Sequence, residues 1–457
     1  MVAATPFDAI IIGTGQAGPP LAGRLAKAGQ KVAIIERASF GGTCVNNGCI
    51  PTKTLIASAR TAYVARRAAD FGINIAGPIS VDMKVVKARK DQVSGASRTG
   101  LEGWLKTAPG ITVFTGQARF VADHEVAVEG ARLTANRIFI NTGGRPTAPP
   151  IPGLDTVPYL TNVSMMDVDF LPRHLVIIGG SYIGLEFAQM YRRFGSEVTV
   201  FEDAPKLIQH EDADISDGVR DILTNEGIDI RLNATNVWVS ASGGDIEVQS
   251  SSGASVVGTH LLVATGRRPN TDDLGLETTG IVLDGHGFIK TNDMLETTVP
   301  GVWALGDCNG KGAFTHTSYN DFEIVAANLL DSDPRRVSDR ILAYNLYTDP
   351  PLGRCGMTES DVRKTGRPAL IGRRPMTKVG RAVEKGESQG FMKILVDAET
   401  KLILGAAILG VEGDEAIHCI LDIMYAKAPY TVLQRATNIH PTVSELIPTV
   451  LGELHPL

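Results

Sequence analysis

The 457-residue sequence contains only five cysteines, too few for a disulfide framework in a chain of this length. Sparse cysteine is typical of a protein from a reducing compartment, where a disulfide that forms is a catalytic one. No apolar run is long enough to cross a membrane. The first residues lack the basic stretch of a signal sequence, so the expected location is the cytoplasm.

Strong charge of either sign is also missing. The formal net charge is −6 and lysine and arginine form no basic run, which argues against a nucleic-acid partner. The contents of 43% hydrophobic and 21% charged residues are ordinary for a globular protein. A chain of this length is expected to form roughly two to four domains with large cores.

A short apolar strand is predicted over residues 8–12, and the sequence GTGQAG follows from Gly13. A helical pattern over residues 21–28 and a strand over residues 31–35 complete a βαβ unit that ends at Glu36. The glycines allow a tight turn and close approach to a pyrophosphate, while the terminal acid lies where ribose hydroxyls bind. The unit predicts a dinucleotide-binding domain.

The same succession of strand, turn, helix and strand recurs over residues 174–201, with a second turn from Gly179. Ser181 replaces the middle glycine of the fingerprint, and Glu202 ends the last strand. A carboxylate there suits a free ribose hydroxyl and repels a 2′-phosphate, which favours NADH over NADPH. A solvated acid at a strand end is the alternative for either glutamate.

Apolar strands that run into Thr142-Gly143 and Thr265-Gly266 suggest an internal duplication. A buried strand ends at Asp307, where a ligand with hydroxyl groups is expected. Beyond residue 344, alternating segments predict an antiparallel sheet, at residues 369–375, 391–396 and 402–409, with helices at 413–426 and 430–436.

These patterns predict an α/β protein with two doubly wound nucleotide-binding domains and a C-terminal α+β domain. The proline-rich stretch 145–158 marks the first boundary. The expected domains are a first nucleotide-binding and central domain at residues 1–148 and 271–337, a second nucleotide-binding domain at 149–270 and a C-terminal domain at 338–457.

Cys44 and Cys49 stand five positions apart at the predicted start of a helix, and Lys53 follows. A helix N-terminus favours a thiolate, and two cysteines on one helical turn can close and reopen a small disulfide ring. Two structural cysteines or half of a metal site are the alternatives. The other three cysteines show no ligand spacing, so no metal site is predicted.

His440 precedes Pro441, and Glu445 lies five positions beyond the histidine. A carboxylate at this spacing can orient one ring nitrogen and leave the other free for proton transfer. The proline favours a fixed turn, with a cis peptide bond as an option. A purely structural histidine is the alternative.

Together with both fingerprints, Gly42-Thr43-Cys44, Cys49 to Lys53, Gly306-Asp307 and His440 to Glu445 resemble the class I flavoprotein disulfide reductases. The resemblance runs from about residue 8 to the C-terminus. The segments 140–143, 313–322 and 348–352 are most similar to the mercuric-reductase-like branch that contains the reactive-chlorine-induced flavin disulfide reductase.

The resemblance implies that FAD binds to the first nucleotide-binding and central domain, that NAD(P) binds to the second, and that the C-terminal domain is a dimerisation domain. Residues expected to contact FAD are Gly13, Gly15, Gln16, Ala17, Gly18, Glu36, Arg37, Thr43, Lys53, Gln117, Ala118, Thr142, Gly143, Asp307 and Thr315. Residues expected to contact the nicotinamide nucleotide are Gly179, Tyr182, Ile183, Gly184, Glu202 and Gly266. Tyr182 would cover the flavin until the nicotinamide arrives.

The resemblance also implies catalytic roles. Cys49 would face the flavin and Cys44 would exchange with substrate, while Lys53 would pair with Glu186 beside the flavin. His440 and Glu445 would reach the disulfide of the other subunit, which implies a homodimer. The protein would pass a hydride from NAD(P)H through flavin to this disulfide, and on to a disulfide, a thiol-bound acceptor or a metal ion in oxidant defence.

Two other functions stay open. Dihydrolipoyl dehydrogenase shares the His–Glu pair, and a non-catalytic flavin sensor of nucleotide or oxidant would retain the cofactor sites. The pair argues against the sensor, because sensing requires no proton donor. Mercuric reductases usually carry a C-terminal cysteine pair, which residues 451–457 lack. The acceptor is therefore left open.

Overall fold

The computed structural model describes residues 4–251 and 253–457. Three large sheets of seven, four and six strands organise this part of the chain, together with a three-stranded and a two-stranded sheet. Among the helices of the described residues, none is both long and apolar enough to span a membrane.

The first large sheet gathers the N-terminal strands. They are β1 (Thr5–Ile12), β2 (Val32–Glu36), β3 (Ile111–Thr115), β4 (Arg119–Ala122), β5 (Glu125–Val128) and β6 (Ala131–Ile140). The helices of this part are α1 (Gly18–Lys27), α2 (Gly42–Asn46), α3 (Cys49–Arg66) and α4 (Met83–Thr107). Strands β3, β2, β1 and β6 are parallel, and β5 and β4 continue from β6 as an antiparallel meander.

The second unit repeats this plan. Its strands are β7 (Gly144–Pro146), β8 (His174–Ile178), β9 (Glu197–Phe201), β10 (Asp229–Arg231), β11 (Trp238–Ser242), β12 (Asp245–Ser250), β13 (Gly253–Gly258), β14 (His260–Val263) and β15 (Arg267–Pro269), and its helices are α5 (Tyr182–Phe194) and α6 (Ala213–Asn225). Strands β10, β9, β8 and β14 form the parallel sheet. The chain leaves the unit along β15, which pairs with the entering strand β7.

The chain then returns to the first sheet and builds the third. Strand β16 (Val302–Ala304) pairs in parallel with β6, and α7 (Thr315–Ala326) follows. The third sheet is antiparallel and consists of β17 (Ala343–Leu346), β18 (Leu352–Gly356), β19 (Ala369–Pro375), β20 (Phe391–Asp397), β21 (Ile403–Leu409) and β22 (His455–Pro456). Its helices are α8 (Glu359–Thr365), α9 (Gly380–Glu384), α10 (Gly413–Tyr425), α11 (Thr431–Gln434) and α12 (Ile447–Gly452).

The architecture confirms the expected fold class, with two parallel nucleotide-binding sheets and a C-terminal α+β part. The exact domain boundaries stay predictions. The helix expected over residues 430–436 is shorter, because the N–H of Ala436 bonds to the carbonyl of Leu433 in a tighter turn after α11.

Both fingerprint turns need their last glycine for the same reason. A Cβ at Gly18 would lie 2.4 Å from the carbonyl oxygen of Gly13, and a Cβ at Gly184 would lie 1.9 Å from that of Gly179. The helix therefore packs against its own incoming strand at a distance that only glycine permits.

The two cysteines do not share one helical turn, which corrects the sequence-based expectation. Cys44 lies in the short helix α2, whereas Cys49 is the first residue of α3. Gly48 separates the helices with φ −130° and ψ −116°, and a Cβ there would lie 2.8 Å from the carbonyl oxygen of Thr43. A tight break between two helices therefore brings the sulfurs together.

Lys393 on β20 joins the third sheet to the second nucleotide-binding unit. Its buried Nζ lies 2.9 Å from Asp212, 2.8 Å from Asp214 and 3.5 Å from Glu359. Burial alone would raise the pKa of Asp212, but hydrogen bonds from Lys393 and from two backbone N–H groups of α8 hold that pKa below its ordinary value. The lysine is the central cation of an interdomain cluster.

The substitution Lys393→Met is expected to lower the free energy of unfolding by about 3–5 kcal/mol, because it leaves the buried carboxylate of Asp212 without a cation. Urea unfolding monitored by circular dichroism measures the loss. Lys378→Met removes an exposed lysine from the same part of the chain and should change stability by less than about 0.5 kcal/mol. Equal unfolding midpoints for the two variants would contradict the role of Lys393.

Candidate active site

A cavity of about 980 Å³ opens at the carboxyl edge of the first sheet and is lined by residues of the first and third large sheets and of helix α5 in the second unit. This volume suits a large bound molecule. The lining includes most residues expected to contact FAD: Gly13, Gly15, Gln16, Glu36, Arg37, Thr43, Lys53, Gln117, Ala118, Thr142, Gly143, Asp307 and Thr315. Ala17 and Gly18 lie beneath the turn and are buried.

Glu36 closes the first fingerprint turn from the end of β2. One carboxylate oxygen accepts hydrogen bonds from the backbone N–H of Thr14 at 3.0 Å and from its hydroxyl at 2.6 Å. The other accepts from the N–H of Ala38 at 2.9 Å. The acid thus stabilises the loop and also borders the cavity, where its remaining lone pairs can accept from ribose hydroxyls.

Two further polar groups in the cavity fit a bound dinucleotide. The buried hydroxyl oxygen of Thr142 has no hydrogen-bond partner among the described residues, which is a costly arrangement unless a ligand supplies one. Burial raises the pKa of Asp307, and Arg267, whose Nε lies 3.9 Å away, partly offsets that rise. The residues present therefore fit FAD.

Cys44 and Cys49 are free thiols that border the same cavity. The hydrogen bond from Cys44 lowers the pKa of Cys49 to about 6, with help from the hydroxyl of Thr315 at 3.1 Å and from the charge of Lys53. The same contact raises the pKa of Cys44. Cys49 is thus the sulfur that carries negative charge near neutral pH.

Lys53 and Glu186 are 133 positions apart in the sequence and form an ion pair in the cavity. The lysine Nζ lies 2.9 Å and 2.8 Å from the two carboxylate oxygens. The backbone N–H of Tyr347 also donates to Glu186 at 3.1 Å, and the Tyr347 ring lies beneath the Nζ at 4.6 Å. These contacts fix a cation beside the thiols.

The second fingerprint lies mostly outside the cavity. Tyr182 and Ile183 line the cavity, whereas Gly179, Gly184, Glu202 and Gly266 lie outside its lining. The carboxylate at position 202 accepts from the N–H of Gly180 at 2.6 Å and from that of Ala204 at 3.0 Å. Burial raises the pKa of this acid. It closes the second turn as Glu36 closes the first.

His440 and Glu445 form a pair away from the cavity of their own chain. The His440 Nδ1 lies 3.0 Å and 3.1 Å from the carboxylate oxygens, and the peptide bond to Pro441 is cis. The histidine side chain is 79% exposed, so its Nε2 faces outward. The carboxylate orients the ring and leaves one nitrogen available to another molecule.

Two features of the cavity were absent from the sequence interpretation. Arg267 donates to the carbonyl of Gly144 at 2.5 Å and reaches Asp307; its position directly after a Thr-Gly strand end was the available signal. Phe314 and Tyr344 pack around Tyr182, and no local pattern marks either ring.

Comparison with known proteins assigns the chain to one family. Residues 7–321 match the family described as "Pyridine nucleotide-disulphide oxidoreductase", and residues 342–451 match its dimerisation domain. The chain is 38% identical to the "Probable pyridine nucleotide-disulfide oxidoreductase RclA" of Escherichia coli K12, over 96% of this chain and 97% of that protein. It is 30% identical to the mercuric reductase of Bacillus cereus, over 95% of this chain and 70% of that protein.

Other relatives extend this result. The dihydrolipoyl dehydrogenase of Thermus scotoductus is 34% identical, over 98% of this chain and 97% of that protein. The solved structure of the "HOCl-induced flavoprotein disulfide reductase RclA from Escherichia coli" superposes with a TM-score of 0.89 at 37% identity, covering 97% of this chain and 99% of that one. These matches confirm the resemblance that the motifs carried. The chain belongs to the pyridine nucleotide-disulphide oxidoreductases and is an oxidoreductase of the FAD- and NAD(P)H-dependent kind.

Proposed function

We propose that the protein transfers two electrons from NADH or NADPH through FAD to a Cys44–Cys49 disulfide, and from the resulting dithiol to a disulfide, a thiol-bound acceptor or a soft metal ion. The observation that carries the proposal is the low-pKa thiol of Cys49, held between Thr315 and the Lys53–Glu186 pair in the dinucleotide cavity. Such a thiol is a poised redox group. Bound FAD would supply the two-electron carrier between nucleotide and disulfide.

The chain's own residues divide the remaining chemistry. The Cys44 thiol gives its proton to His440 of the partner subunit as its sulfur attacks a sulfur of the acceptor disulfide, which forms a mixed disulfide and releases the first thiolate. His440 of the partner subunit protonates that leaving group, and Glu445 of the partner subunit orients the imidazole. Cys49 then attacks the Cys44 sulfur, releases the second thiol and re-forms the intramolecular disulfide.

With metal acceptors, one Hg²⁺ ion would instead take both electrons from the dithiol, or two Cu²⁺ ions would take one each. Support for soft metals comes from relatives that are named mercuric reductases and from a Cu(II) complex of RclA, which is 36% identical to this chain.

Glu202 favours NADH, because a buried carboxylate repels a 2′-phosphate. The outward His440 supports a homodimer, since the His440–Glu445 pair lies outside the lining of its own chain's cavity.

Anaerobic titration with NADH and NADPH in parallel tests the proposal. Reduced holoenzyme should develop a long-wavelength thiolate–flavin absorbance band, at lower concentrations of NADH than of NADPH. A turnover panel of low-molecular-weight disulfides, Hg²⁺, Cu²⁺ and quinones should then find a disulfide or metal acceptor. Absence of the band with both nucleotides would refute the thiol relay.

Dihydrolipoyl dehydrogenase is the second candidate function, favoured by the 34% identity to the Thermus scotoductus enzyme. It predicts fast oxidation of dihydrolipoamide with NAD as the acceptor. The same panel, with dihydrolipoamide and NAD added, separates the two. Dihydrolipoamide oxidation that exceeds reduction of every disulfide and metal in the panel would select this second function.

The thiolate–flavin band should depend on pH with a midpoint near the Cys49 pKa of about 6. The thiolate prevails above the midpoint, and the lowered pKa places that midpoint below neutral pH. The band is therefore expected at neutral pH and should fade as the pH falls through about 6. Thr315→Val removes a hydrogen bond to the thiolate and should raise the midpoint by roughly one unit. Thr61→Val on the exposed face of α3 serves as the control and should leave the midpoint unchanged.

A further inference from the structure

Tyr182 sits in a corner made by two aromatic rings from other parts of the fold. The Phe314 ring, just before α7, meets it edge-on with centroids 6.0 Å apart and planes at 87°. The Tyr344 ring, on β17, meets it at 5.5 Å and 80°. Phe314 and Tyr344 stack on each other at 5.6 Å and 11°, so together they form one flat wall.

The wall is anchored from behind by the Tyr344 hydroxyl. That hydroxyl donates a short hydrogen bond to Glu211, a fully buried acid that lies shortly before α6. A ring needed only for packing requires no hydroxyl, and a buried carboxylate is costly unless its hydrogen bonds are made. The bond therefore fixes the ring in a set orientation.

Arg354 supplies the charge that holds this acid. It lies directly opposite Tyr344 in the β17–β18 register, and its Nε is 3.9 Å from the second carboxylate oxygen of Glu211. The arginine side chain is 1% exposed, and its nitrogens have no hydrogen-bond partner among the described residues. The guanidinium thus acts here as a buried counter-charge to the carboxylate that accepts the hydrogen bond from the Tyr344 hydroxyl.

We propose that Tyr344, anchored by Glu211 and Arg354, is a positioning residue that holds Tyr182 closed over the nucleotide side of the cavity. The proposal rests on the proposed function and on the role that the family resemblance implies for Tyr182, which is to cover the flavin until the nicotinamide arrives. The Tyr182 ring must move aside before the nucleotide can bind, and the wall sets the fraction of molecules in which the ring has moved aside. When only a fraction of the molecules is open and able to bind, the apparent Kd is the intrinsic Kd divided by that fraction.

Tyr344→Phe is the sharpest variant, because it keeps the ring and removes only the hydroxyl, which bonds to Glu211 and also contacts the Tyr182 hydroxyl. Calorimetric binding of 1,4,5,6-tetrahydro-NAD, which donates no hydride, to the oxidised holoenzyme should give a Kd about threefold to tenfold lower than in wild type. Dithionite-reduced holoenzyme without nucleotide should react with oxygen faster by a similar factor. Turnover at saturating NADH should stay within about twofold, because the loosened wall affects opening and leaves the thiols in place.

Three further variants serve as a second test, a control and a reference for the Tyr344→Phe result. Glu211→Gln removes the charge behind the wall and should shift Kd in the same direction, which also covers a failure of Tyr344→Phe to fold. Tyr191→Phe removes a hydroxyl from a buried tyrosine of α5 that makes no contact with Tyr182 in the aromatic cluster, and should behave as wild type. Tyr182→Ala removes the ring that covers the flavin in this proposal, which we call the gate.

The possible outcomes distinguish a failure of the positioning role of Tyr344 from a failure of the gating role of Tyr182. Changed Kd and oxygen reactivity in Tyr182→Ala, with wild-type values in both Tyr344→Phe and Glu211→Gln, would overturn the positioning role and leave the proposed gate intact. Wild-type values in Tyr182→Ala would show that Tyr182 is no gate, and would remove the basis of the inference as well.

Discussion

Cys49→Ser is expected to abolish the long-wavelength band and to reduce turnover of disulfide and metal acceptors on the order of 10⁴-fold. A serine hydroxyl stays protonated at neutral pH and cannot form a disulfide with Cys44. The hydrogen bond from Cys44, the Thr315 hydroxyl and the charge of Lys53 would all remain, with no thiolate to stabilise. Absorbance during anaerobic NADH titration and steady-state turnover measure the two losses.

The matched cysteine variants make this result specific. Cys44→Ser should also stop disulfide turnover but should keep the band, because the thiolate that faces the flavin in the proposed relay is still present. Cys419→Ser changes a half-buried cysteine outside the cavity and should leave band and turnover as in wild type. A wild-type band in Cys49→Ser would refute the assignment of roles to the two sulfurs.

His440→Gln should lower disulfide turnover by about 10²- to 10⁴-fold while the band is retained. Glutamine preserves hydrogen-bonding size but cannot donate a proton to the leaving thiolate near neutral pH. Glu445→Gln should have a smaller effect in the same direction, because the imidazole loses its orienting charge but not its proton. Stopped-flow mixing of reduced enzyme with a disulfide measures the step directly.

Mixed dimers test whether the histidine serves the opposite subunit. A dimer of one Cys44→Ser chain and one His440→Gln chain places both defects in one site and leaves the other site intact. Random mixing of the two inactive variants should then restore about a quarter of wild-type turnover. Restoration would not occur if each His440 served its own chain, because every site would then carry one defect. The exposed imidazole in the single chain favours the first outcome.

The nucleotide-binding units could be predicted from sequence because their determinants are local. Gly13, Gly18 and Glu36 lie within one βαβ unit, and the close approach of Gly18 to Gly13 follows from strand–turn–helix geometry alone. The cis bond at Pro441 was likewise foreseen as an option from two adjacent residues.

Long-range pairings were accessible only through family resemblance or not at all. The Lys53–Glu186 pair spans 133 positions, and no spacing rule connects them. The contact of Tyr344 with Glu211 depends on how the third sheet packs against the second unit, which leaves no periodic trace in the sequence. The break at Gly48 was missed because the helical pattern continues on both sides of it.

The hydrogen bonds of Glu202 have a consequence for engineering nucleotide preference. The obvious route to NADPH use is to remove this acid so that a 2′-phosphate can enter. The same carboxylate, however, accepts hydrogen bonds from the N–H groups of Gly180 and Ala204. Glu202→Ala would therefore remove the hydrogen bonds that stabilise the turn expected to bind the pyrophosphate. We expect that substitution to weaken binding of both nucleotides rather than to exchange one for the other. A successful redesign would need a neutral acceptor at the same position, such as glutamine, with the new cation supplied from elsewhere.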